Sequence, residues 1–85
     1  MSGEEMLREA AELVASRRNV YGDPERSMAI VAARWSLTLG RQITPAQVAL
    51  CLIDLKLARF AHDPTHFDSM LDVAGYAAVL REVTR

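Results

Sequence analysis

Three breaks divide this chain, and each is written in residues that close one helix or open the next. They are Gly22-Asp23-Pro24, Gly40 with the Thr44-Pro45 pair that follows it, and Asp63-Pro64-Thr65. Glycine accepts the left-handed conformation in which helices commonly stop. Aspartate and threonine offer an oxygen to the free amides of a first turn, and proline carries a backbone angle already suited to that turn. The stretches between these breaks run over about 3–19, 24–39, 45–61 and 66–83, all of helical length. The expectation is an all-α fold, a compact bundle of four helices forming a single domain over residues 1–85.

The apolar spacing agrees with that division. In the first stretch Glu4 and Glu5 precede Met6, Ala10, Leu13 and Val14, an amphipathic pattern with its acids in the turn where the helix dipole favours them. Met28, Val31, Ala32, Trp35 and Leu39 share one face of the second, which predicts Trp35 in the core. The third carries Val48, Leu50, Cys51, Leu52, Ile53, Leu55 and Leu57 and is apolar on nearly every side, the pattern of a central helix. For the fourth, Thr65 is the expected cap, with Asp68 in the place of the acid of a capping box. Half of the residues are hydrophobic but only 6% are aromatic, and the surplus of Ala, Leu and Val favours helices over strands.

Charge and cysteine content exclude several classes of function. A net charge of −1 gives no general attraction for nucleic acid or an anionic membrane, and no segment has the basic character of a recognition helix. The lone Cys51 has no intramolecular partner and suits a reducing cytosol. No run approaches the ~20 apolar residues that cross a bilayer, and the acidic start Met1-Ser2-Gly3-Glu4-Glu5 lacks the regions of a signal peptide. A soluble cytoplasmic protein is expected. Because 85 residues bury a small share of their surface, assembly into a homodimer is expected as well.

Ionisable side chains inside the apolar third and fourth stretches mark the candidate site, since a core-facing charge is costly unless paired or holding an ion. Asp68, Asp72 and Tyr76 fall at i, i+4 and i+8 on one helix face, with Gly75 beside them to admit another backbone. Two carboxylates one turn apart suit a divalent cation, and Mg²⁺ often takes one or two carboxylates together with substrate phosphates. Asp54 is a candidate third acid, or else an exposed group or a partner for Arg34 or Arg41. Lys56 and Arg59, three residues apart, reach one region that holds either phosphate oxygens or the aspartates. The competing expectation joins Lys56, Arg59, Asp68 and Asp72 in an internal ion-pair network. Arg17-Arg18 reads as a solvated pair that complements its helix dipole. Tyr21-Gly22-Asp23-Pro24 reads either as a ligand-contacting loop or as a plain connecting turn. His62 and His66 straddle Pro64, and without HExxH or CxxC there is no zinc signature.

In fixed order, Tyr21-Gly22-Asp23-Pro24, Ala33-Arg34-Trp35-Ser36, Ile43-Thr44-Pro45, Leu55-Lys56-Leu57-Ala58-Arg59 and the segment from Asp68 to Tyr76 resemble a family of short, uncharacterised proteins of bacteriophages and their actinobacterial hosts. The match covers residues 17 to 80. The helix order is in turn similar to the all-α nucleoside triphosphate pyrophosphohydrolases of the MazG type, which hold Mg²⁺ with an ExxE pair on one helix and an ExxD pair on the next. That resemblance implies Mg²⁺ at Asp68, Asp72 and Asp54, phosphates neutralised by Lys56 and Arg59, and a nucleotide against Tyr76 or Trp35. The chain departs from the pattern: the third helix offers Asp54 alone, the fourth has Asp-x-x-x-Asp, and Glu9 with Glu12 gives ExxE spacing on the first helix. Two functions are therefore expected side by side. One is a nucleotide-binding protein or Mg²⁺-dependent pyrophosphohydrolase; the other is a non-catalytic helical module that contacts a host protein or a nucleotide signal.

Overall fold

The computed structural model describes all of residues 1–85, and every regular element in it is helical. The four helices are α1 (Gly3–Tyr21), α2 (Pro24–Leu39), α3 (Pro45–Arg59) and α4 (Phe67–Thr84). The α2 bounds coincide with the sequence expectation. Helix α1 runs two residues further than expected, as far as Gly22, where the positive φ of 84° ends it. At α3 the helix stops two residues early. The amides of Phe60, Ala61 and His62 each donate to the carbonyl three residues back, which tightens the chain into turns before Pro64.

Capping residues fix most of these ends. Asp23 accepts from the Glu25 amide at 3.0 Å, with Pro24 in the first turn. Thr44 and Gln47 satisfy one another's amides in a capping box at 3.1 and 2.9 Å. Gly40 closes α2 in the left-handed region, at φ 69°. The loop beyond it is tied back because the Ile43 amide donates to the Ser36 hydroxyl at 2.9 Å. The sequence reading credited Glu4 and Glu5 to the dipole alone, whereas Glu5 also completes a capping box with Ser2.

The start of α4 corrects the expectation. Its cap is His66, whose Nδ1 accepts from the Ser69 amide at 3.2 Å and lies 2.7 Å from the Ser69 hydroxyl. Thr65 is committed elsewhere: its amide and its hydroxyl both donate to Asp63, at 2.9 and 2.6 Å. Those two bonds, hydroxyl first, hold the Asp63 carboxyl below its ordinary value of 3.8. With His66 as cap, Asp68 falls in the first turn without a capping role.

Helix α4 is in contact with all three others, its largest interface being with α3, while α1 and α3 do not pack on one another. The central position expected for α3 therefore belongs to α4, and Leu50, Leu55, Leu57 and Cys51 of α3 stand exposed. Small residues let the helices approach. The buried set is Ala10, Ala32, Val48, Ala49, Ser69, Leu71 and Gly75. Trp35 is half-buried at the edge of this core, and Leu39 lies outside it. No helix is long and apolar enough to cross a membrane.

The assignment of the α4 cap has a direct check. His66→Ala should cost about 1 kcal/mol in chemical denaturation and speed hydrogen exchange at the Ser69 amide. Thr65→Ala should leave that amide protected. Equal exchange in the two variants would return the capping role to Thr65.

Candidate functional site

The end of α1, the Gly22 turn and the start of α2 face the middle of α4 across a cavity of about 590 Å³. Positions 14, 17, 18 and 21 of α1 recur at helical spacing, so Val14, Arg17, Arg18 and Tyr21 all point to that side. Helix α4 contributes Asp72, Gly75, Tyr76 and Val79, and α3 contributes Lys56. Pro24, Ser27 and Met28 complete the wall from α2.

At its centre Asp72 is held from two sides. The Lys56 ammonium lies 3.1 Å from Oδ2, and the Arg17 guanidinium donates to Oδ1 at 3.3 Å. Asp72 and Lys56 are 16% and 14% exposed, whereas Arg17 is half exposed. The Lys56 pair is thus the one that operates away from bulk water, where a charged hydrogen bond is strongest. Arg18 donates to Glu82 at 3.3 Å, Arg85 pairs with the same carboxylate at 2.9 Å, and Arg85 also approaches Glu25 at 3.8 Å. This second cluster ties the ends of α1 and α4 to the start of α2.

Of the residues proposed from sequence, Lys56, Asp72 and Tyr76 meet at this cavity. Arg59, Asp68 and Asp54 do not: all three are exposed, and none forms an ion pair or lines the cavity. Asp68 stands one turn nearer the start of α4, about 6 Å along the axis from Asp72. Asp54 is about 200° around α3 from Lys56 and so faces away. No three His, Cys, Asp or Glu side chains gather into a group that could hold a metal ion. The network is therefore Lys56, Asp72 and Arg17, in place of Lys56, Arg59, Asp68 and Asp72. Arg17 and Arg18 are not simply solvated, and the Tyr21-Gly22 turn lies on the cavity. The signal that identifies them is the shared helical phase of Val14, Arg17, Arg18 and Tyr21 just ahead of a Gly-Asp-Pro break.

Gly75 is buried against α1, yet a Cβ built there would meet Val14 Cγ2 at an ordinary 3.8 Å. Close backbone approach does not require this glycine, contrary to the expectation from sequence. Its absent side chain instead leaves room at the cavity floor.

The two ion-pair clusters should separate in denaturation experiments. Asp72→Ala leaves two cations facing each other and should lower stability by about 2 kcal/mol. Removing the Arg18 interaction with Glu82, whose arginine is half exposed, should cost less than about 1 kcal/mol.

A family model described as a domain of unknown function, DUF6378, matches residues 5–84. The Gene 55 protein of Mycobacterium phage L5 is 36% identical over 80 residues, covering 92% of this chain and 51% of that protein. The Gene 55 protein of Mycobacterium phage D29 is 35% identical over 81 residues, covering 94% and 54%. The chain thus spans about half the length of these relatives. No solved structure matches it. With a family match that runs from the first helix to the last, the chain belongs to the DUF6378 family.

Proposed function

We propose that this chain is a phage-type nucleotide-binding module of the host cytoplasm, taking a phosphorylated ligand with a flat ring into the cavity between α1, α2 and α4. The observation that carries this reading is local charge. Three cations, Arg17, Arg18 and Lys56, line the cavity with one carboxylate, Asp72, in a chain whose overall charge is −1; Arg17 and Lys56 pair with Asp72, and the half-exposed Arg18 pairs with Glu82, which is not part of the lining. The arginines offer planar forks suited to phosphate oxygens, and Lys56 adds a compact charge. Tyr21 and Tyr76 supply ring faces for stacking. A volume of about 590 Å³ falls in the range of small-molecule sites. The resemblance in sequence to MazG-type pyrophosphohydrolases suggests a nucleotide as the ligand.

Magnesium enters this reading with the nucleotide, and Asp72 is the one cavity carboxylate available to it. The proposal is binding rather than turnover, because that carboxylate is already held by Lys56 and Arg17. Gly75 supports the same reading. Inside a helix glycine is roughly 0.5–1 kcal/mol worse than alanine, and here alanine would fit sterically. The empty floor serves the ligand.

Calorimetric titration with canonical and modified nucleoside triphosphates tests this. Binding should appear and persist in EDTA, since the neutralising charges belong to the protein. Arg18→Ala should weaken it about tenfold or more. Gly75→Ala should raise the melting temperature while weakening the ligand. Absence of binding across the panel overturns the reading. Mg²⁺-dependent release of pyrophosphate that disappears in Asp72→Ala replaces it with a hydrolase.

A further inference from the structure

Arg18 lines the cavity, yet the carboxylate it donates to, Glu82 at 3.3 Å, is not part of the lining. Glu82 lies seven residues past Gly75 on α4, so it continues the helix face that carries the cavity floor and stands at the cavity's edge. The contact is one hydrogen bond, from Nη2 to Oε1. A guanidinium offers five donors in a flat fork, so this bond uses a small part of what Arg18 can give. Glu82 is also held a second time. Arg85 Nη2 lies 2.9 Å from its Oε2, the closer of the two pairs, and those residues are only three apart in the chain. Withdrawal of Arg18 therefore does not strand a bare carboxylate, which at 23% exposure would be costly. Arg18 itself is half exposed, where an ion pair contributes little. Its hold on Glu82 is replaceable.

We propose, resting on the phosphate-binding reading of the cavity, that Glu82 competes with the ligand for Arg18 and so sets the threshold an anion must pass to bind there. Arg85 keeps the carboxylate when Arg18 is drawn away. A phosphoryl group passes that threshold because it carries up to about two charges and three acceptor oxygens, enough to take two arms of the guanidinium at once. A carboxylate ligand only repeats what Glu82 already offers. The neighbouring arginine is arranged alike: Arg17 lies 3.3 Å from Asp72, whose other oxygen Lys56 holds at 3.1 Å. Two adjacent arginines, each the longer pair on a doubly held carboxylate, fit a ligand with two or more phosphoryl groups. Glu82 is thus a specificity-determining residue outside the cavity wall, acting through Arg18.

Calorimetric titration with inorganic tripolyphosphate tests the proposal, with circular dichroism as the control for folding. Glu82→Gln should bind the probe about threefold more tightly than wild type, although it should melt at a lower temperature. Arg85→Ala leaves Glu82 to Arg18 alone and should weaken binding by a similar factor. Both effects should vanish when Arg18→Ala is added, because the competition runs through that side chain, whereas a general change in the field around the cavity would persist. Unchanged or weaker binding in Glu82→Gln overturns the proposal. So do effects that survive Arg18→Ala. If tripolyphosphate fails to bind while a nucleoside triphosphate binds, the competition falls and the nucleotide reading stands; if neither binds, both fall. Should Glu82→Gln lose its helicity, Arg85→Ala with and without Arg18→Ala decides alone.

Discussion

Asp72 occupies the one place where α1, α3 and α4 are electrostatically joined. Helices α1 and α3 do not pack on each other, so the attraction of Arg17 and Lys56 for a common carboxylate is their direct link across α4. The position carries a cost, because a charge moved out of water is stabilised only when its partners and hydrogen bonds compensate. Asp72 meets that condition with one cation on each oxygen. The arrangement is asymmetric: Lys56 is mostly shielded and Arg17 half exposed. Of the two, Arg17 is the group more open to solvent.

The geometry of the cavity depends on how the helices end. Gly22 stops α1 in a conformation that disfavours other residues, and Asp23 with Pro24 starts α2 at once. The chain thereby passes from one helix to the next within two residues, and both Tyr21 and Pro24 line the cavity. At the opposite end of the bundle, the Ser36 hydroxyl and the Thr44–Gln47 capping box set the path into α3. That path places Lys56 opposite Asp72 three turns later.

Helix number, helix bounds to within two residues and two of the three inter-helix starts were legible in the sequence because capping chemistry is local: Asp23-Pro24 and Thr44-Pro45 act on amides a few residues away. The start of α4 was less legible, since Thr65 and His66 are adjacent candidates and the choice depends on Asp63 taking both Thr65 donors. Helical phase grouped Asp72 with Tyr76, and both line the cavity together with Lys56. It failed for Asp68 and Arg59, because phase says where a side chain points but not which neighbouring helix it reaches. Arg17 was missed for the same reason: its partner is 55 residues away, a separation no spacing rule spans. The apolar surround of α3 read as burial, and it describes the single chain only on the sides facing α2 and α4.

The stretch from Arg17 to Met28 contributes more than half of the cavity-lining side chains, and none of the seven buried residues falls within it. Most of the cavity wall and the packed core therefore draw on different stretches of the chain. Within that dozen, Tyr21, Ser27 and Met28 line the cavity without joining an ion pair or capping a helix, so the cavity surface can vary at these positions while the interlocked alanines, Val48 and Leu71 go on supporting the same scaffold.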